Sequence, residues 1–112
     1  MLRMLWTGPL LVACAGDARG PAPQTHTVEI RDMAFEPAEL RVRPGDTIVW
    51  VNRDFVPHTA TAPDSAWTSP PLAQGERWRM VAPTPGEGTY ICAFHPVMEA
   101  RLIVDPNPPA EE

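Results

Sequence analysis

The sequence contains no lysine. Its nine basic residues are all arginines, scattered among 14 acidic ones, and the formal net charge is −5 over 112 residues. With no basic run to follow a phosphate backbone, composition argues against nucleic acid as a partner. Cysteine is nearly missing as well: only Cys14 and Cys92 are present, too few for a disulfide framework. Only three histidines occur, His26, His58 and His95, which limits any metal centre to a small one. Helical patterning is absent too, since no apolar stripe holds helical spacing for three turns. Proline, by contrast, is abundant, with 15 residues against a usual share of about 5%. Proline interrupts helices and central strands, so the chain suits short strands joined by many turns.

Those strands can be read directly. "HTVEI" alternates, with Val28 and Ile30 on one face, and the folded part is expected to start near Thr27. "ELRVRPGD" alternates again and ends in the turn Pro44-Gly45-Asp46. "TIVWVN" is more apolar, as for a strand covered on both faces. "HTATAP" reads as a short strand, and "DSAWTSPPLAQGE" as a long irregular connection. "RWRMV" places Trp78 and Met80 together, "APTPGEG" is a turn, and "TYICAF" and "ARLIV" are the closing strands. Phe35, Trp50, Trp78 and Tyr90 are read as core. The expectation is one all-β domain over 26–105, a two-sheet sandwich or barrel of seven or eight strands. Residues 106–112, rich in proline and acid, are expected to form a loose tail.

The N-terminus has an export signal in outline: Arg3, a short apolar run, then small residues. Leu11-Val12-Ala13-Cys14 resembles a bacterial lipobox. On that reading residues 1–13 are a signal peptide, Cys14 is lipid-modified, and 14–25 form a flexible tether. Two rivals remain open: Ala13-Cys14-Ala15 as a plain cleavage site, or a true start further upstream. If Cys14 carries lipid, Cys92 has no disulfide partner. A lone thiol outside the cytoplasm is open to oxidation unless something occupies it.

"YICAFHPVM" holds the chemistry, with Cys92, His95 and Met98 spaced three residues apart. Each residue alone has an ordinary explanation: a buried cysteine is a small hydrophobe, a methionine fills gaps, a histidine is structural. Together, after a strand and in an expected short loop, they form a soft donor set that selects copper. Two histidines, one cysteine and a weak axial methionine make a blue-copper centre. His58 in "VPHTAT" is the natural second histidine, whereas His26 lies at the tether boundary and is expected to be exposed.

From about Val28 to Val104 the chain resembles the plastocyanin–amicyanin group of small blue copper proteins, the cupredoxins. The carrying residues are "FEPAELRVRPGDTIVWVN", "VPHTAT", "GTYICAFHPVM" and "ARLIV". The C-x-x-H-P-x-M spacing is most similar to amicyanin. The resemblance implies a Greek-key β-sandwich with one type 1 copper at one end, held by His58, Cys92, His95 and Met98. It also implies one-electron transfer between redox proteins outside the cytoplasm, in the periplasm or cell envelope, by a monomer with transient partners. Lipid on Cys14 would add membrane attachment. One position departs from the group: Thr59 stands where an asparagine usually ties the two ligand loops together.

Alternatives use the same residues. A copper delivery or storage protein would share the ligands, but it often carries methionine- or histidine-rich tracts, and this chain has none. A Cys92–His95 nucleophile lacks an orienting group and leaves Met98 without a role. Multicopper enzymes need further histidines, and only His26 is left over. The expectation is therefore a carrier and not an enzyme.

Overall fold

A computed structural model describes residues 22–106. The expected signal, the expected lipid site at Cys14, most of the expected tether and residues 107–112 lie outside that range. Seven strands are present among the described residues, and no helix. They are β1 (Thr25–Arg31), β2 (Ala34–Glu36), β3 (Glu39–Val42), β4 (Thr47–Asn52), β5 (Arg77–Val81), β6 (Gly86–Cys92) and β7 (His95–Val104). One sheet has the order β2-β1-β4-β5 and the other β3-β7-β6. Each is mixed, because β1 runs parallel to β4 and β3 parallel to β7.

The alternation in sequence becomes the two faces of each strand. Val28, Ile30, Phe35, Val42, Ile48, Trp50, Tyr90, Ala100, Leu102 and Val104 face inward into one core. β4 is buried along nearly its whole length, as its continuous apolar run requires. Trp50 sits at the centre. Its ring lies 5.5–5.7 Å from Trp67, Trp78 and Tyr90, and its indole N–H donates to the Tyr90 hydroxyl at 3.2 Å. Burial pushes the Tyr90 phenol up to about 12, despite that hydrogen bond. The tyrosine two residues before Cys92 is therefore a neutral packing group at ordinary pH.

Three local expectations change. β1 starts at Thr25, ahead of Thr27, because the Gln24 N–H and the His26 ring both bond to Asp46. His26 is accordingly half-buried instead of exposed. "HTATAP" is not a strand but a set of single bridges, His58 to Leu72 and Thr61 to Thr68 and Ile91. Its amides cannot join one ladder, since the Thr59 N–H points at the Cys92 sulfur and the Ala60 N–H at the Ser69 hydroxyl.

The third change is the expected loop after Cys92. Only Ala93 and Phe94 form the turn, and His95 through Met98 already belong to β7. Cys92 pairs with His95 and Ile91 with Glu99, so Pro96, Val97 and Met98 are extra residues opposite the Ile91–Cys92 step. In a regular strand residues i and i+3 point to opposite faces. The bulge removes that constraint: Met98 keeps the inward phase of Ala100 and Leu102, and the extra residues set His95 opposite Cys92.

Candidate metal centre

The segment that follows β4 meets the end of β6 where His58 and Thr59 face Cys92. Cys92 follows Tyr90 on the inward face of β6 and is fully buried. His58 is also fully buried. Its backbone exchanges two hydrogen bonds with Leu72, His58 N to Leu72 O at 3.1 Å and the reverse at 2.8 Å. His95 is half-buried.

The three donor atoms lie within 4.8 Å of one another. Nδ1 of His58 and Nδ1 of His95 each stand 3.6 Å from the Cys92 sulfur. A first-row ion bound at about 2.0 Å to imidazole and about 2.3 Å to thiolate, at tetrahedral to trigonal angles, sets nitrogen and sulfur about 3.5–3.7 Å apart. The residues therefore fit a metal without rearrangement. Met98, 4% exposed, is buried in the same cluster as Cys92. His26 is not brought to this site. Its register opposite Ile48, against Asn52 opposite Ile30, puts it at the other end of β1 and β4.

Two residues that sequence reasoning passed over hold His58 in place. The His58 Nε2 lies 2.8 Å from the Asp54 carboxylate. A carboxylate accepts there, so the ring proton sits on Nε2 and the Nδ1 lone pair is free to face Cys92. Asp54 also accepts the N–H groups of Asp32 and Met33 at 2.7 and 2.9 Å. Those two residues form the two-residue β1–β2 turn with φ of 54° and 58°, a left-handed pair that such hairpins require. Burial pushes the Asp54 carboxyl up, but the Met33 N–H, the His58 ring and the Asp32 N–H outweigh it and hold the group below the usual carboxylate value. Asn52, fully buried, donates to Val56 O and Leu72 O and accepts from Asp54 N. A carboxylate four residues before a candidate ligand was the signal for Asp54; Asn52 left none, because it reads as a strand end.

Thr59 answers for the missing asparagine. Its backbone N–H points at the Cys92 sulfur at 3.4 Å, and its hydroxyl accepts the Ala93 N–H at 2.8 Å. The two ligand segments are thus joined twice through one residue.

A cupredoxin-like domain model matches residues 4–104. The chain belongs to the cupredoxin-like family. Among curated relatives this cupredoxin is 29% identical to amicyanin from Paracoccus denitrificans over 83 residues, 70% of this chain and 63% of that protein. It is 29% identical to amicyanin-alpha from Methylorubrum extorquens over 101 residues, 85% of each. Among solved structures, an oxidised proline-to-alanine variant of amicyanin aligns with a TM-score of 0.68 at 28% identity, over 79% of this chain and 89% of that one. A copper-containing nitrite reductase from Thermus scotoductus aligns at 0.66 and 32% identity, but the match takes in 83% of this chain and only 24% of the enzyme. The chain spans 63% of the Paracoccus relative, less than two thirds of its length. Family and donor cluster together assign one type 1 copper to this cupredoxin.

Proposed function

We propose that this cupredoxin carries single electrons between larger redox proteins, with His58, Cys92, His95 and Met98 as the copper ligands. When bound, the copper supplies a one-electron couple between Cu(I) and Cu(II). The observation that carries the reading is the asymmetry of the donor set: His58 and Cys92 are fully buried, while the His95 ring lies partly open at the surface. Beside it stand two exposed apolar residues, Phe94, whose ring lies 6.4 Å from the His95 ring, and Val97, 91% exposed. An apolar rim of this kind suits brief, weak contact with a partner, and His95 is the shortest way in for an electron. The buried side keeps water from the thiolate, and Asp54 and Thr59 hold the ligands in one geometry, so little has to move when the charge changes.

The same asymmetry favours a carrier over copper delivery or storage, in which a partner must reach the ion itself. A catalytic role is disfavoured because the one remaining histidine, His26, is bonded to Asp46 at 2.9 Å, far from the cluster along β1. Export, and attachment through lipid on Cys14, is part of the same proposal and rests on the lipobox-like run and the lone Cys92 thiol. Mass spectrometry of the mature protein from its host tests it, and a chain beginning after Ala15 without lipid would refute the anchor.

Absorption and EPR spectra of the copper-loaded protein, followed by voltammetry, test the main reading. The expected result is an intense visible band and a reversible one-electron couple. Copper binding without that band would defeat the blue-copper assignment. A band without a reversible couple would favour delivery or storage.

A further inference from the structure

We propose that the hydroxyls of Thr59, Thr61 and Thr68 form a one-directional relay that positions the Cys92 turn. The inference rests on the copper reading for its purpose, but its geometry belongs to the polypeptide alone. The Ala93 N–H lies 2.8 Å from the Thr59 hydroxyl oxygen. That oxygen is 2.8 Å from the Thr61 hydroxyl, which is 2.7 Å from the Thr68 hydroxyl. Thr68 donates in turn to the Ser69 carbonyl at 3.1 Å.

Each hydroxyl has one proton to give. The direction of the whole chain therefore follows from its far end. A carbonyl only accepts, so the Thr68 proton is committed to Ser69. Thr61 must then donate to Thr68, and Thr59 must donate to Thr61. Thr59 is left with its lone pairs toward Ala93, where an amide can only donate. The Ser69 hydroxyl does not disturb this order, since it accepts the Ala60 N–H at 3.0 Å and donates to Pro70 O at 2.7 Å.

The arrangement depends on placement that the bridges supply. Thr59 and Thr61 share one face of an extended segment, and Thr61 lies opposite both Thr68 and Ile91. Thr61 also exchanges two 2.9 Å backbone hydrogen bonds with Ile91, the residue before Cys92. Thr59 is 4% exposed, so its hydroxyl cannot rely on water for an acceptor. Without Thr61 it would be free to rotate its proton toward the turn and oppose the Ala93 amide. Aligned donors also polarise one another, which strengthens the last bond in the series. The relay thus ties the Cys92–Ala93 turn to the irregular 62–72 connection, and it keeps the Thr59 N–H aimed at the Cys92 sulfur. Thr61 and Thr68 are positioning residues that act through Thr59.

The test uses the full chain as Thr61→Val, Thr68→Val and Thr61→Ser. Valine keeps the branching of threonine and removes only the hydroxyl. Hydrogen exchange at the Ala93 amide is measured in the metal-free protein, and the reduction potential in the copper-loaded one. Thr61→Val should speed Ala93 exchange about five- to tenfold, the worth of one net hydrogen bond. It should also lower the potential, because a thiolate with a looser hydrogen bond donates more charge and favours Cu(II). Thr68→Val should act in the same direction but less, and Thr61→Ser should restore both readouts. Unchanged Ala93 exchange and potential in Thr61→Val, with the blue band intact, would overturn the relay. So would values for Thr61→Ser as displaced as those for Thr61→Val, since serine keeps the hydroxyl on which the relay depends. Should Thr61→Val not fold, Thr68→Val at the exposed end decides by the same criteria. Loss of the blue reading in the parent protein, with Ala93 still sensitive to Thr61→Val, would refute the copper assignment and leave the relay standing.

Discussion

The two segments that meet at the candidate copper site are built on opposite plans. The first, Asn52 to Thr61, is bonded at nearly every step: Asn52 to two carbonyls, Asp54 to a neighbouring turn and to His58, His58 to Leu72, and Thr59 to Cys92 and Ala93. The second, Cys92 to Met98, is a two-residue turn and a bulge whose intervening residues Phe94 and Val97 face solvent. One half is scaffold. The other half is held by that scaffold and presents a single imidazole outward. A centre meant to exchange electrons without exchanging its ion needs both: a rigid rear to keep the geometry, and a thin front to let a partner come close.

Removing the atom the halves share should have the largest effect. Cys92→Ala is expected to abolish the intense visible band, whereas Met98→Leu should leave a coloured site with a shifted potential. A visible spectrum of each variant with copper settles both.

Breaking the scaffold should cost stability next. Asn52→Ala removes three hydrogen bonds of a fully buried side chain, to Val56 O, to Leu72 O and from the Asp54 N–H, although Leu72 O keeps the His58 N–H. The expected loss is about 2–3 kcal/mol, read from urea unfolding of the metal-free protein. A loss below about 0.5 kcal/mol would mean that the segment is not held as described.

Acid should then weaken the fold at two depressed carboxylates, Asp54 in the first segment and Asp46 at the opposite end of β4. Asp54 and Asp46 both have folded-state values below the usual carboxylate one. At Asp46, burial pushes the carboxyl up, but the Gln24 N–H, the His26 ring and the Arg43 N–H overcome it. A depressed carboxyl contributes stability that is fully present above its unfolded value of about 3.9 and is lost as pH falls through the folded value. Urea midpoints should therefore drop as pH is lowered from 6 through about 4 and below, and Asp46→Asn should flatten part of that slope. An unchanged slope would remove the Gln24–His26–Asp46 contact from the account.

Changes on the front should be the mildest for the fold. Phe94→Ser and Val97→Ser are expected to alter stability by no more than about 0.5 kcal/mol. They should nevertheless slow electron exchange with a redox partner several-fold in stopped-flow mixing, with the visible band unchanged. Equal rates in both variants would take the apolar rim out of the docking reading.

Much of this was legible in the chain. Alternation at Val28 and Ile30, at Leu40 and Val42, and at Trp78 and Met80 follows from the period of a strand and needs no tertiary information. The continuous apolar run of β4 announced burial on both faces. The spacing of Cys92, His95 and Met98 is local, so the donor set could be read where it stands. Asp54 was missed because its partners, Asp32, Met33 and His58, come together only when β1 and β4 lie side by side. "HTATAP" was misread because alternation alone cannot reveal that its amides go to a sulfur and a side-chain hydroxyl. The bulge was missed for a related reason: extra residues are defined only against a partner strand, and the partner of 95–99 is fixed by pairing.

The sequence by itself determined the strand-and-turn character, the four candidate donors and their order along the chain. These are matters of residue chemistry and short-range spacing. Only the tertiary structure decided that His58 and Cys92, 34 positions apart, share one point, that β7 bulges to set His95 opposite Cys92, and that Thr59 takes over the joining of the two ligand segments. Those outcomes depend on the register of packed strands and on which buried hydrogen-bonding groups find one another, and neither leaves a periodic mark in the order of residues.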